Sequence, residues 1–128
     1  MRLLLDTHAF VWFLVESKRI PGRLMATLID PAHTVHVSAV SVWEVAIKSG
    51  LGKLSLPLER LEAIIDDAGF GELPVIFAHA LEVRHLPLLH RDPFDRLLIA
   101  QARHERLTLV TRDPDIRRYP VDTLWDQD

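Results

Sequence analysis

Hydrophobic and polar positions run along this chain in two alternating rhythms. Arg2-Leu3-Leu4-Leu5 is a short apolar run, too short for a helix and suited to a strand covered on both faces. It stops at Asp6-Thr7, and His8 to Glu16 follows as a helix apolar nearly all round. Ile20-Pro21-Gly22 breaks the pattern, and Arg23 to Asp30 reads as a second helix closed by Pro31. His33-Thr34-Val35-His36-Val37-Ser38 alternates and is β-branched, the signature of a strand. Ser41 then opens a helix to about Ser49, with Glu44 at capping-box spacing and Gly50 as its stop. Leu58 to Ala68 is an amphipathic helix, Leu73 to Ile76 a short strand, and Phe77 to His85 a short helix stopped by Pro87.

The stretch from His90 to Ala102 organises the second half. Asp92 is a good N-cap, and Pro93 follows at the first helical position, where its missing N–H costs nothing. Asp95 lies on the first turn, and the helix runs to about Arg106 with almost no polar face, so it should be buried. Thr108-Leu109-Val110-Thr111 is the clearest late strand, and Val121 to Leu124 is a candidate for the last. Strands alternating with helices predict an α/β fold, with a mostly parallel sheet and helices on both faces. Ligands of such sheets bind beyond the carboxyl ends of the strands. Asp6 and Asp113, each closing an apolar strand, belong to that edge.

Composition narrows the class. A chain of 128 residues, 48% hydrophobic and 26% charged, is expected to form one domain with a real core. No apolar run approaches the ~18 residues of a membrane span, and Arg2, three leucines and Asp6 do not form a secretory signal. The absence of cysteine excludes disulfides and thiolate metal sites, and a cytoplasmic location is expected. A net charge of −3 does not advertise nucleic-acid binding, which would need a local basic patch.

Four acids ask for a common account. Glu44 interrupts an apolar helix, on the face of Val40 and Ile47, and reads as half exposed. Singly, it is a capping partner of Ser41 or an ion pair with Lys48, Asp6 and Asp113 are strand-end caps, and Asp95 answers the helix dipole. If the four converge, each like-charged pair at ~4 Å costs about 4 kcal/mol at an effective dielectric of ~20, so a compensating cation is required. Oxygen-only ligands favour Mg²⁺ or Mn²⁺, and such a centre can drive phosphodiester displacement. Seven scattered histidines without a His-x-x-x-His pair read as surface or core residues. Gly50-Leu51-Gly52-Lys53 lacks the spacing of a phosphate loop.

The pieces Leu4-Leu5-Asp6-Thr7-His8, Ser38 through Lys48, Arg91 through Ala102, and Val110-Thr111-Arg112-Asp113-Pro114 resemble, in order, the PIN-domain ribonucleases and among them the VapC-type toxins. The resemblance covers nearly the whole chain, and all four acidic positions match. It implies a Rossmann-like three-layer sandwich forming a single PIN domain over 1–128. It implies that Asp6, Glu44, Asp95 and Asp113 are the catalytic residues and bind one or two Mg²⁺ or Mn²⁺ ions. Thr111 and Asp92 are supporting residues, and Asp115 is a peripheral acid. The implied activity is endonucleolytic hydrolysis of single-stranded RNA by activated water, leaving a 5′ phosphate. A cognate antitoxin and a homodimer are implied as partners, with Trp12, Phe13 and Trp43 as candidate groove or interface residues. Among the surrounding basic residues (Lys48, Arg91, Arg96, Arg112, Arg117 and Arg118), Arg112, Arg96 and Lys48 are the candidates for RNA phosphate contacts. The alternative is a catalytically silent PIN-fold module that binds RNA or a partner. A phosphate-accepting receiver domain is disfavoured, because Asp6 stands alone after the first strand and no Asp follows the second.

Overall fold

The computed structural model describes residues 1–126. The last two positions of the expected 1–128 unit lie outside the described residues. Five parallel strands form one sheet in the order β3-β2-β1-β4-β5: β1 (Arg2–Leu5), β2 (Thr34–Ser38), β3 (Gly71–Leu73), β4 (Thr108–Val110) and β5 (Thr123–Leu124). The helices are α1 (Thr7–Val15), α2 (Gly22–Ile29), α3 (Ala39–Gly50), α4 (Leu61–Asp67), α5 (Phe77–Glu82) and α6 (Pro93–Glu105). None is long and apolar enough to cross a membrane.

The register sorts the core into two halves. Leu3 pairs with Val35 and Leu5 with Val110, and all four face the cluster built from Phe10 of α1, Leu24 and Leu28 of α2 and Leu61 of α4. Leu4 and Leu109 are partners on the opposite face, packed with Leu98 and Ile99 of α6. Alternate side chains of a strand point to opposite faces, so a sheet apolar on both sides needs helices on both sides. The expected α/β sandwich is what forms.

Two of the boundaries that differ from the sequence pattern bear on the site. The third strand occupies Gly71–Leu73, not Leu73 to Ile76. Pro74 has no N–H for the ladder, and Val75 and Ile76 emerge into solvent as the lead into α5. The second difference is the start of α3. Ser38, the last residue of β2, is its N-cap, and the Ser38 hydroxyl accepts from the Val40 amide at 3.0 Å. Ser41 is already inside the helix, so no Ser41–Glu44 capping box exists.

α6 ends on Arg106, an exposed residue in the left-handed region at φ 58°. That conformation costs an L-residue roughly 1–2 kcal/mol and suits glycine. Arg106→Gly is therefore expected to stabilise the protein by about 0.5–1 kcal/mol, raising its melting temperature by ~2–4 °C. An unchanged or lower melting temperature in a calorimetric scan would contradict this account of the helix end.

Candidate metal centre

The sheet reverses its winding between β1 and β4: the chain moves outward from β1 through β2 to β3, then returns to lay β4 on the other side of β1. Crevices open at such a point, on the carboxyl edge. Asp6 follows β1 there, with only 2% of its surface exposed. Its Oδ1 accepts from the Ala9 amide at 2.7 Å, capping α1, and it is also hydrogen-bonded by the Thr111 hydroxyl. Thr111 is fully buried just beyond β4, and its Oγ1 accepts from the Asp113 amide at 3.0 Å. One hydroxyl thus ties Asp6 to the turn that carries Asp113. The Asp113 Oδ1 accepts from the Asp115 amide at 2.8 Å, and Asp115 itself faces Arg118 at 3.9 Å.

Glu44 sits one turn into α3 and is buried, with 4% exposure, where the sequence suggested a half-exposed residue. The earlier helix start explains this. With Ser38 as cap, Ser41 turns inward to share a 3.0 Å hydrogen bond with the Thr7 hydroxyl, and Glu44, one helical turn further on, shares its face. The Glu44 Oε2 accepts from the Lys48 Nζ at 2.6 Å. Its Oε1 is buried without a hydrogen-bond partner among the described residues.

The first turn of α6 supplies the third buried acid. The Asp92 Oδ1 accepts from the amides of Phe94 and Asp95, at 2.8 and 3.1 Å, as an N-cap should. Asp95 is 8% exposed, and the His90 Nε2 lies 2.9 Å from its Oδ2. One side-chain atom from each of His90, Asp95 and Asp113 falls within 4.8 Å of the others, a spacing compatible with a shared ion. Asp6 and Glu44 stand outside that closest group yet act on it electrostatically, since both raise the pKa of Asp95. His90 was missed by the sequence reading. It reaches Asp95 by the course of an irregular loop, which has no periodicity to read.

The basic candidates separate. Arg112 is exposed, with its guanidinium 4.7 Å from the centroid of the Trp12 ring. Lys48 is held by Glu44. The Arg96 guanidinium donates to the Pro87 carbonyl at 2.9 Å, the Tyr119 hydroxyl at 3.1 Å and the Val83 carbonyl at 3.5 Å. Arg91, Arg117 and Arg118 are exposed.

Burial of like charges sets the electrostatics. Desolvation pushes the Asp6 carboxyl up, against the hydrogen bonds from Thr111 and Ala9. Asp95 is pushed up to about 6, first by burial and then by Asp92, with Asp6 and Glu44 adding and the His90 hydrogen bond opposing. For His90, burial alone would lower the pKa, but the Asp95 hydrogen bond and the charges of Asp95, Asp113 and Asp92 carry it upward. A crowd of desolvated carboxylates, one of them with an orphaned oxygen, fits a hard divalent cation and is otherwise a cost.

That cost has a sign. Asp95 binds a proton more tightly folded than unfolded, so its share of stability is highest below pH 3.8 and falls as pH rises to about 6. Asp95→Asn is expected to stabilise the metal-free protein at pH 7.5 by roughly 1–2 kcal/mol, about 4–7 °C in melting temperature, allowing for a weaker bond to His90. The difference should vanish below pH 4. Equal melting curves at pH 7.5 would show that Asp95 is not held at such a cost.

Comparisons with known proteins bear on the fold and the family. The family model described as "PIN domain" matches residues 3–122. No curated protein matches the chain by sequence. Among solved structures, the chain is similar to the VapBC2 complex of Rickettsia felis bound to a promoter DNA fragment, with a TM-score of 0.74 at 20% identity over 98% of this chain and 100% of that one. It is also similar to FitAcB of Neisseria gonorrhoeae, with a TM-score of 0.68 at 23% identity over 95% and 96% of the two chains. VapBC-1 of nontypeable Haemophilus influenzae aligns with a TM-score of 0.64 at 16% identity over 97% of each chain. At these identities the structures speak for the fold, and the family model speaks for the lineage: the chain belongs to the PIN-domain family.

Proposed function

We propose that this protein is an Mg²⁺- or Mn²⁺-dependent endoribonuclease acting on single-stranded RNA, and the toxin of a toxin–antitoxin pair. The observation that carries the reading is the burial of Asp6, Glu44 and Asp95 at one sheet edge, with the Glu44 Oε1 unpartnered. Asp6, Glu44, Asp95 and Asp113 would hold one or two ions. When bound, the metal supplies water activation and charge stabilisation for phosphodiester displacement. The protein's own groups prepare that chemistry. Thr111 fixes Asp6 and the Asp113 turn, and Asp92 fixes the helix turn that presents Asp95. Lys48 balances Glu44. Arg112, exposed beside Asp113, is the phosphate contact.

The partner reading draws on the solved VapBC and FitAB complexes and on a toxin–antitoxin complex from Klebsiella pneumoniae. It also draws on exposed apolar side chains that the core does not use. Trp43, Ile47 and Leu51 stand at helical spacing along α3 and its end, and Phe77 and Leu81 stand on α5. They suit an antitoxin segment or a second copy of the chain. Trp12 and Phe13 instead pack against the core. A single PIN domain over 1–128, in the cytoplasm, completes the reading.

Cleavage of a labelled single-stranded RNA panel by the protein freed of any antitoxin tests the proposal. Activity is expected with Mg²⁺ or Mn²⁺, abolished by EDTA, and lowered ~100-fold or more in Asp6→Asn and Asp95→Asn that keep the wild-type circular dichroism. RNA binding without cleavage under any metal would favour the silent module. Equal cleavage by the variants would remove the acids from the site.

A further inference from the structure

The loop between α5 and α6 carries His90 to the acidic centre, and it contains neither helix nor strand from Leu86 to Asp92. A phenol and a guanidinium hold it. Tyr119 follows the short 3₁₀ turn Ile116–Arg118, and its ring is 3% exposed among the residues packed on α6. Its hydroxyl oxygen accepts from the His90 amide at 2.8 Å and the Leu89 amide at 3.2 Å. It also accepts from the Arg96 Nη1 at 3.1 Å and donates towards the His90 carbonyl at 3.4 Å. Arg96 completes the clamp from α6 by holding the carbonyls of Pro87 and Val83. The main chain on both sides of His90 is therefore fixed by groups that never touch the acids.

We infer that Tyr119, with Arg96, is a positioning residue of the centre, acting through His90 on Asp95. This rests on reading the centre as a metal site. The logic is that of an outer-shell partner: a group that orients a ligand's neighbour sets the direction in which the ligand's second oxygen faces. His90 occupies the Asp95 Oδ2, so the plane of that carboxylate follows the imidazole, and the imidazole follows the loop. A ring buried only for packing would not need a hydroxyl engaged by three N–H donors. A phenol oxygen offers two lone pairs and one proton, so three N–H donors and one carbonyl exceed its capacity, and the longer contacts with the Leu89 amide and the His90 carbonyl share it with the shorter ones.

A double-mutant cycle separates the two roles. Tyr119→Phe keeps the ring and removes the clamp, His90→Ala removes the group it positions, and Arg96→Lys is the second variant of the clamp should Tyr119→Phe fail to fold. Mn²⁺ affinity is measured by calorimetric titration on the full chain, and the His90 Nε2–H resonance is followed by NMR without metal. Tyr119→Phe and His90→Ala are each expected to weaken Mn²⁺ binding by about tenfold, and the double variant no further than His90→Ala alone. The resonance, protected in the wild type, is expected to exchange away in Tyr119→Phe. Losses that multiply, or a Tyr119→Phe protein with wild-type affinity and a protected resonance, would overturn the inference. A wild-type protein that binds no Mn²⁺ would instead end the metal reading, and the resonance alone would then decide the role of Tyr119: loss supports it, retention overturns it.

Discussion

Like charge buried at one edge of a parallel sheet is the constraint on which the rest of this molecule turns. Asp6, Glu44 and Asp95 come from a strand end, a helix following another strand, and a helix preceding a third. Left to themselves they would repel by several kcal/mol at the low effective dielectric of a protein interior. The fold answers locally in three ways. Thr111 and the Ala9 amide hydrogen-bond Asp6, Lys48 neutralises Glu44, and His90 meets Asp95. These offsets are incomplete, as the raised pKa of Asp95 and the unpartnered Glu44 oxygen record.

The three helices that frame the site begin at this edge. α1 is capped by Asp6, α3 by Ser38 and α6 by Asp92, each through its own side chain. Their amino ends carry the positive pole of the helix dipole, which favours negative charge nearby by a few tenths to about 1 kcal/mol each. Asp6 thus has two functions in one carboxylate: Oδ1 caps α1, and the group as a whole contributes charge to the centre. Reading Asp6 as a cap is therefore correct and yet insufficient.

A second network keeps the edge in register. The Ser38 hydroxyl donates to the Gln101 Oε1 at 2.5 Å, and the Gln101 amide reaches the Pro74 carbonyl at 3.2 Å. Gln101 is fully buried on α6, so it joins the start of the Glu44 helix to the body of the Asp95 helix. Such a buried polar chain is satisfied only in one relative placement of its elements, which gives the two acids a fixed spacing.

Much of this was legible in the chain itself. The apolar runs at Leu3 and Leu109, the Asp92-Pro93 helix start and the alternation of strands with helices gave the parallel sandwich, because period and cap act over about four residues. The four acids could be placed near one edge, since parallel strands all end on the same side. Other features were not local. Ser38 displaced Ser41 as the cap because the helix starts directly at the end of β2, and that shift took Glu44 from half exposed to buried. Arg96, a phosphate candidate in the sequence, also holds the loop through the Pro87 carbonyl. The partners that decide these outcomes lie far apart in sequence, His90 from Tyr119 by 29 positions and Ser38 from Gln101 by 63. The sequence alone determined which elements form and which edge gathers the acids. Only the tertiary structure decided how those acids are held, because a hydrogen bond between distant residues depends on how the elements pack and leaves no period in the chain.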